Sequence, residues 1–152
     1  MLSIYRLITL IFLYFFAIYD KRHHKIRNTA LLAFLPWCLF SIPVTIYCFP
    51  SVPWPYILLH SILGCMNGFF TLLFVSMATN GSIGGGDIKL VGLLGILYGT
   101  TGLLSVLFLA CITALLHNGI KSIAKRTLQK NIPLAPYLFY GCALYTLFNQ
   151  TI

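Results

Sequence analysis

Six apolar blocks separated by short polar segments constrain this chain more than any other feature. They cover residues 1–19, 29–49, 56–78, 88–99, 103–120 and 132–148, and Arg6 and Lys89 are the only Lys, Arg, Asp or Glu residues inside them. The apolar residues come as runs, without the period of 2 or 3.6 that marks a half-buried strand or a surface helix. A soluble domain is about 25% charged; this chain of 152 residues is 8% charged and 59% hydrophobic. Its polar surface is too small to cover a water-soluble globule. A hydrocarbon core of about 30 Å takes about 20 helical residues at 1.5 Å each. These facts predict an all-α fold: a polytopic membrane helical bundle of about six transmembrane helices, forming one domain over residues 1–152. Block 88–99 is short for a crossing, so either the glycine loop before it dips below the membrane surface or its helix extends through Thr100 and Thr101. A turn is expected at 99–102, and kinks at Pro36 and Pro43.

The charges fix an orientation. The segments 20–28, 79–89 and 121–131 fall on one side of a six-span bundle and hold nine of the ten Lys and Arg residues, Arg6 being the exception. Cytoplasmic loops carry such an excess, so these loops are expected in the cytoplasm, with the N-terminus and C-terminus extracytoplasmic. The net charge of +8 therefore reads as topology and as attraction to a lipid bilayer with anionic headgroups, at about 1 kcal/mol per charge. It forms no basic stripe on a soluble face, and no nucleic-acid partner is expected. The uncharged loop 50–55 lies on the other side, with Trp54 and Tyr56 suited to the headgroup boundary. Block 1–19 lacks a small-residue cleavage site after it and is expected to stay as the first span. Five cysteines, none in a C-x-x-C pair, read as small packing residues rather than metal ligands. His60 and His117 read as hydrogen-bonded packing groups, and His23 and His24 as solvated loop residues. No feature assigns an oligomeric state.

Asp20 and Asp87 are the only acidic residues, and there is no Glu. Each adjoins an apolar block, where an ionisable group is costly and marks a functional site by default. The predicted topology brings both to the same membrane depth, Asp20 at the end of the first span and Asp87 at the start of the fourth. Two carboxylates a few ångströms apart do not both ionise easily, so one holds a proton while the other is free to take one from water. That is aspartic-protease chemistry, with no metal, cofactor or covalent intermediate. Local ion pairs, Asp20 with Arg22 and Asp87 with Lys89, are the structural alternative; ion or proton translocation is a third reading. The run Gly84-Gly85-Gly86 before Asp87 is expected to allow close backbone approach and dihedrals closed to other residues, and to admit an extended peptide beside Asp87.

Three stretches carry a resemblance. Asp20-x-Arg22-x-x-x-Ile26-x-Asn28 is similar to a D-x-R-x-x-x-I-P-N motif, with Arg27 where proline is usual. Gly84-Gly85-Gly86-Asp87-Ile88-Lys89-Leu90 matches a GxGDxKL pattern. Ile132-Pro133-Leu134-Ala135-Pro136-Tyr137-Leu138 is similar to a proline-containing motif that opens a last helix. Together they resemble the type IV prepilin peptidases, a family of GxGD membrane aspartic proteases, over nearly the whole chain. The resemblance implies an endopeptidase that removes the short basic leader of prepilins or pilin-like precursors on the cytoplasmic side of a prokaryotic inner membrane. It implies Asp20 and Asp87 as the catalytic pair. Gly84, Gly86, Lys89, Arg22, Asn28, Pro133 and Pro136 are then the substrate-binding or site-shaping residues. Larger members add an N-terminal methyltransferase domain with paired cysteines; without those cysteines, the expectation is a peptidase without methyltransferase. Pilins of the family commonly carry a glutamate after the cleavage point, which Lys89 or Arg22 would pair. Two rivals remain open: a GxGD protease of the presenilin or signal peptide peptidase kind, and a small proton-coupled transporter or pilus-assembly scaffold.

Overall fold

The computed structural model describes residues 2–23, 28–79, 83–125 and 134–148. They form five helices: α1 (Leu2–His23), α2 (Asn28–Cys48), α3 (Trp54–Ala78), α4 (Gly85–Lys125) and α5 (Ala135–Phe148). No strand occurs among the described residues. Each apolar block has become helix because a backbone removed from water must satisfy its own N–H and C=O groups, and a helix does so within one segment.

Helix α4 merges two blocks. Its backbone is helical up to a single break at Gly99 (φ 65°, ψ −172°), so six helical segments are present among the described residues. The turn expected over 99–102 is thereby compressed into one residue, since Thr100 and Thr101 are already helical. Only glycine takes a positive φ without strain. Gly99 is also pinned from outside, because the His60 ring occupies the place where a Cβ would stand.

The second arm of α4, past the break, runs antiparallel to α5. Just past the break, Gly102 faces the Tyr145 hydroxyl. Farther on, His117 Nδ1 hydrogen-bonds Tyr137 Oη at 2.8 Å, near the opposite end of α5. The first arm lies against α3 with backbones in contact: a Cβ on Gly64 or on Gly95 would collide with the other's carbonyl, and one on Gly68 would sit 2.8 Å from Val91 O. Small residues permit such close approach, which is how helices associate where lipid removes the hydrophobic drive. Helix α1 turns the stripe Thr9, Leu13, Phe16, Ala17 and Asp20 inward, and α2 buries Leu31, Phe34, Cys38 and Ser41. Both stripes follow the i, i+3, i+4 spacing of one helix face. They meet Leu90, Val91, Leu94, Leu103 and Val106 of α4 in one continuous core.

Away from the core, large apolar side chains such as Leu32, Phe40, Phe74 and Leu115 stand mostly exposed. A surface this apolar suits lipid rather than water. Three helices are long and apolar enough to cross a membrane: Asn28–Cys48, Trp54–Ala78 and Gly85–Gly119. At the Gly99 end of the bundle, a cavity of about 240 Å³ is lined by Tyr5, Arg6, His60, Tyr98 and Tyr145 among others. The Arg6 guanidinium carbon lies 5.9 Å from the Tyr145 ring centroid, a cation–π contact. Asp20 and Asp87 lie at the other end.

Candidate active site

Helix α1 continues to His23, so Asp20 occupies its last turn instead of ending it. Its side chain is 3% exposed. A carboxylate near a helix C-terminus faces the negative end of that helix's dipole. The opposing contribution comes from α5, whose first N–H, that of Ala135, donates to Asp20 Oδ2 at 3.3 Å. The sequence at the start of α5 explains the geometry. Leu134 C=O accepts from Tyr137 N–H and Leu138 N–H, each at 3.1 Å. Pro136, half-buried, has no N–H to satisfy. The first turn of α5 thus presents the Ala135 donor, and the positive end of its dipole, to Asp20.

Asp87 lies in the first turn of α4. Gly84 C=O accepts its N–H at 3.0 Å and that of Ile88 at 3.4 Å, which starts the helix. The carboxylate therefore faces a helix N-terminus, where negative charge is favoured. Its Oδ1 is buried and finds no hydrogen-bond partner among the described residues. Asp20 lies near enough for its charge to act on Asp87. The fold has brought together the chain's only two acidic groups, one from the end of α1 and one from the start of α4.

The glycine run departs from expectation. Gly99 is the only glycine with positive φ among the described residues, so Gly84, Gly85 and Gly86 use dihedrals open to any residue. Nor are Gly84 and Gly85 tightly packed: a Cβ at Gly84 would meet Asp87 Oδ2 at an ordinary 3.5 Å, and one at Gly85 would meet nothing within 4 Å among the described residues. What these two glycines leave is open space, among the described residues, over the start of α4.

Lys89 does not turn to Asp87. Its Nζ donates to Asn28 Oδ1 at 3.3 Å, linking the first residue of α2 to the second turn of α4. Gly86 is half-buried in the first turn of α4. Arg22 falls in the last turn of α1, with its side chain outside the described atoms, and Pro133 lies outside the described residues. The site component that sequence reasoning missed is the Ala135 N–H. A backbone donor carries no side-chain signature, although Pro136 beside it marks where the helix begins.

The sequence pattern of the type IV leader peptidase family matches residues 7–118. The chain belongs to the type IV leader peptidase family. The match takes in Asp20, Asn28, Gly84, Gly86, Asp87 and Lys89. A curated relative, the prepilin leader peptidase/N-methyltransferase of Bacillus subtilis (strain 168), is 27% identical over 137 residues, which is 90% of this chain and 52% of the relative. The chain thus spans about half the length of that leader peptidase. No solved structure matches.

Proposed function

We propose that this chain is a membrane aspartic endopeptidase that removes the short basic leader of type IV prepilins or pilin-like precursors. The observation that carries the reading is the meeting of the only two acidic side chains, Asp20 at the N-terminus of α5 and Asp87 near it in the first turn of α4. Family membership supports the substrate class. In this reading the chain crosses a prokaryotic inner membrane six times, with both termini outside and Asp20 and Asp87 at the cytoplasmic face.

The chemistry follows from a pair that shares one proton. We assign the base to Asp20, because the Ala135 N–H donates to its carboxylate, whereas Asp87 Oδ1 is buried with no hydrogen-bond donor among the described residues to stabilise a charge there. Asp20 takes a proton from water, and the water oxygen bonds to the scissile carbonyl carbon. Asp87, protonated, gives its proton to the carbonyl oxygen, for which its Oδ1 has no competing partner. The tetrahedral diol then collapses: the C–N bond breaks, the amine leaves with the proton held by Asp20, and a diol proton returns to Asp87. The atoms balance with one water consumed, and the dyad ends as it began.

The test is co-expression with candidate prepilins, following the leader by gel shift and N-terminal sequencing. Asp20→Asn and Asp87→Asn run beside the wild type, each checked for membrane insertion. Asparagine is near-isosteric and does not ionise, so each variant should lose cleavage by about 10²–10⁴-fold, the usual contribution of a general acid or base. A variant that still cuts normally removes the dyad. A wild type that leaves every precursor whole removes the substrate class. Activity that persists in detergent, without a gradient, excludes a proton-coupled transporter.

A further inference from the structure

A second cavity, of about 420 Å³, opens between α2, α3 and the first arm of α4. Leu32 and Leu35 of α2, Phe69 of α3 and Gly92 of α4 line its length, and Asn28 and Lys89 stand at its polar end. The lining positions recur at helical spacing: 28, 32 and 35 on α2, 89 and 92 on α4. At 1.5 Å per residue, the α2 wall runs for about 10 Å, two turns of a helix laid beside it. Leu32 is 71% exposed, so the wall is open to a helix lying beside it in the bilayer. Gly92 forms the floor; a Cβ there would meet Cys65 O and Phe69 Cβ at 3.7 Å, ordinary contact, so its lack of a side chain keeps the groove deep without being forced by packing.

Resting on the peptidase reading above, we propose that this groove seats the apolar helix of the precursor, and that the peptide reaches Asp87 by crossing the glycine start of α4. The charge at the polar end fits a peptide. Lys89 is held by Asn28, a neutral acceptor, so the ammonium complements a carboxylate in the first turn of the docked helix. The crossing follows from helix geometry. Positions 87 and 89 are about 200° apart around α4 at 3.6 residues per turn, so Asp87 faces inward while Lys89 faces the groove. A peptide seated in the groove therefore passes over the end of α4 to reach Asp87. There, Gly84 and Gly85 have neither unusual dihedrals nor tight packing among the described residues, yet carry no side chain. A bare surface is what a crossing strand requires. At about 3.3 Å per extended residue, roughly three residues bridge the helix end, which puts the scissile bond about three residues before the docked helix.

The test places a photo-crosslinking amino acid at Leu35, or at Leu115 on the second arm of α4 as a lipid-facing control, in the full chain carrying Asp87→Asn so that precursor stays intact. The precursor helix should crosslink from position 35 and not from 115. In the otherwise native enzyme, Gly92→Leu should lower precursor processing by about tenfold, as expected when a binding pocket is filled, and more than Gly92→Ala does. Charge reversal, Lys89→Glu, should weaken cleavage of a precursor with an acidic residue in its first helical turn more than of one lacking it. Crosslinks from 115 and none from 35 overturn the groove, even with cleavage by the wild type and its loss in Asp20→Asn. Wild type that cuts no precursor fails the peptidase reading itself, and the groove with it.

Discussion

Asp20 has two jobs that a single substitution can separate. It accepts the Ala135 N–H, so it acts across helices as a cap for α5, and it stands beside Asp87 as a candidate base. Asn keeps an oxygen acceptor for the Ala135 donor and loses the charge. Ala loses both. Asp20→Ala should therefore lower stability by about 1 kcal/mol relative to Asp20→Asn, the usual value of a lost helix cap, with both inactive. Thermal unfolding in detergent measures the difference. Equal stability would mean that the Asp20–Ala135 bond contributes to the site alone. The sequence made both aspartates legible, because two acids in a chain this apolar have few roles open to them. It could not show that Asp20 meets α5, since the partner is a backbone N–H.

At the scale of elements, Gly99 decides the course of α4. Its φ of 65° and ψ of −172° fall in a region that is essentially glycine's and costs an L-residue about 1–3 kcal/mol, and the His60 ring fills the space a side chain would need. Gly99→Ala should lose at least that much stability. Adding His60→Ala should recover the steric part and leave the dihedral part, so that the two changes couple in a double-mutant cycle read by thermal unfolding. Purely additive losses would place the strain elsewhere. The six helices were legible as apolar blocks. The break was expected as a loop over four residues with Thr100 and Thr101 in it, and is instead one residue. Composition signals that a turn exists; whether it takes one residue or four depends on what packs against it, here a histidine from α3. The glycine run shows the reverse. Its composition pointed to special dihedrals, whereas the backbone is ordinary and the glycines leave room.

For the whole molecule, the arrangement is a bundle with an apolar exterior, a cavity lined in part by Arg6, His60 and several tyrosines at the Gly99 end and the two carboxylates at the other. The proposed six-span topology makes a direct prediction. In a cysteine-free background, a single cysteine at Ser51 should react with a membrane-impermeant thiol reagent in intact cells, and one at Lys125 only after permeabilisation. In the proposed orientation, the four basic residues over 121–131 are on the cytoplasmic side by the positive-inside rule. Labelling of both positions in intact cells would overturn the orientation and move the aspartates to the outer face.

By itself the sequence determined that this protein is helical and suited to a bilayer. It also determined which residues can do chemistry: a long apolar helix satisfies its backbone internally, and only Asp20 and Asp87 carry a carboxylate. The tertiary structure decided which groups meet. Asp20 meets the start of α5 and lies near Asp87, in a bundle where the glycine faces of α3 and α4 pack backbone against backbone and Gly99 breaks α4 into two arms. Lys89 is drawn to Asn28 because it lies on the opposite face of α4 from Asp87. Such encounters depend on the relative rotation and depth of packed helices, and contacts between distant segments set these, whatever the local pattern of each helix.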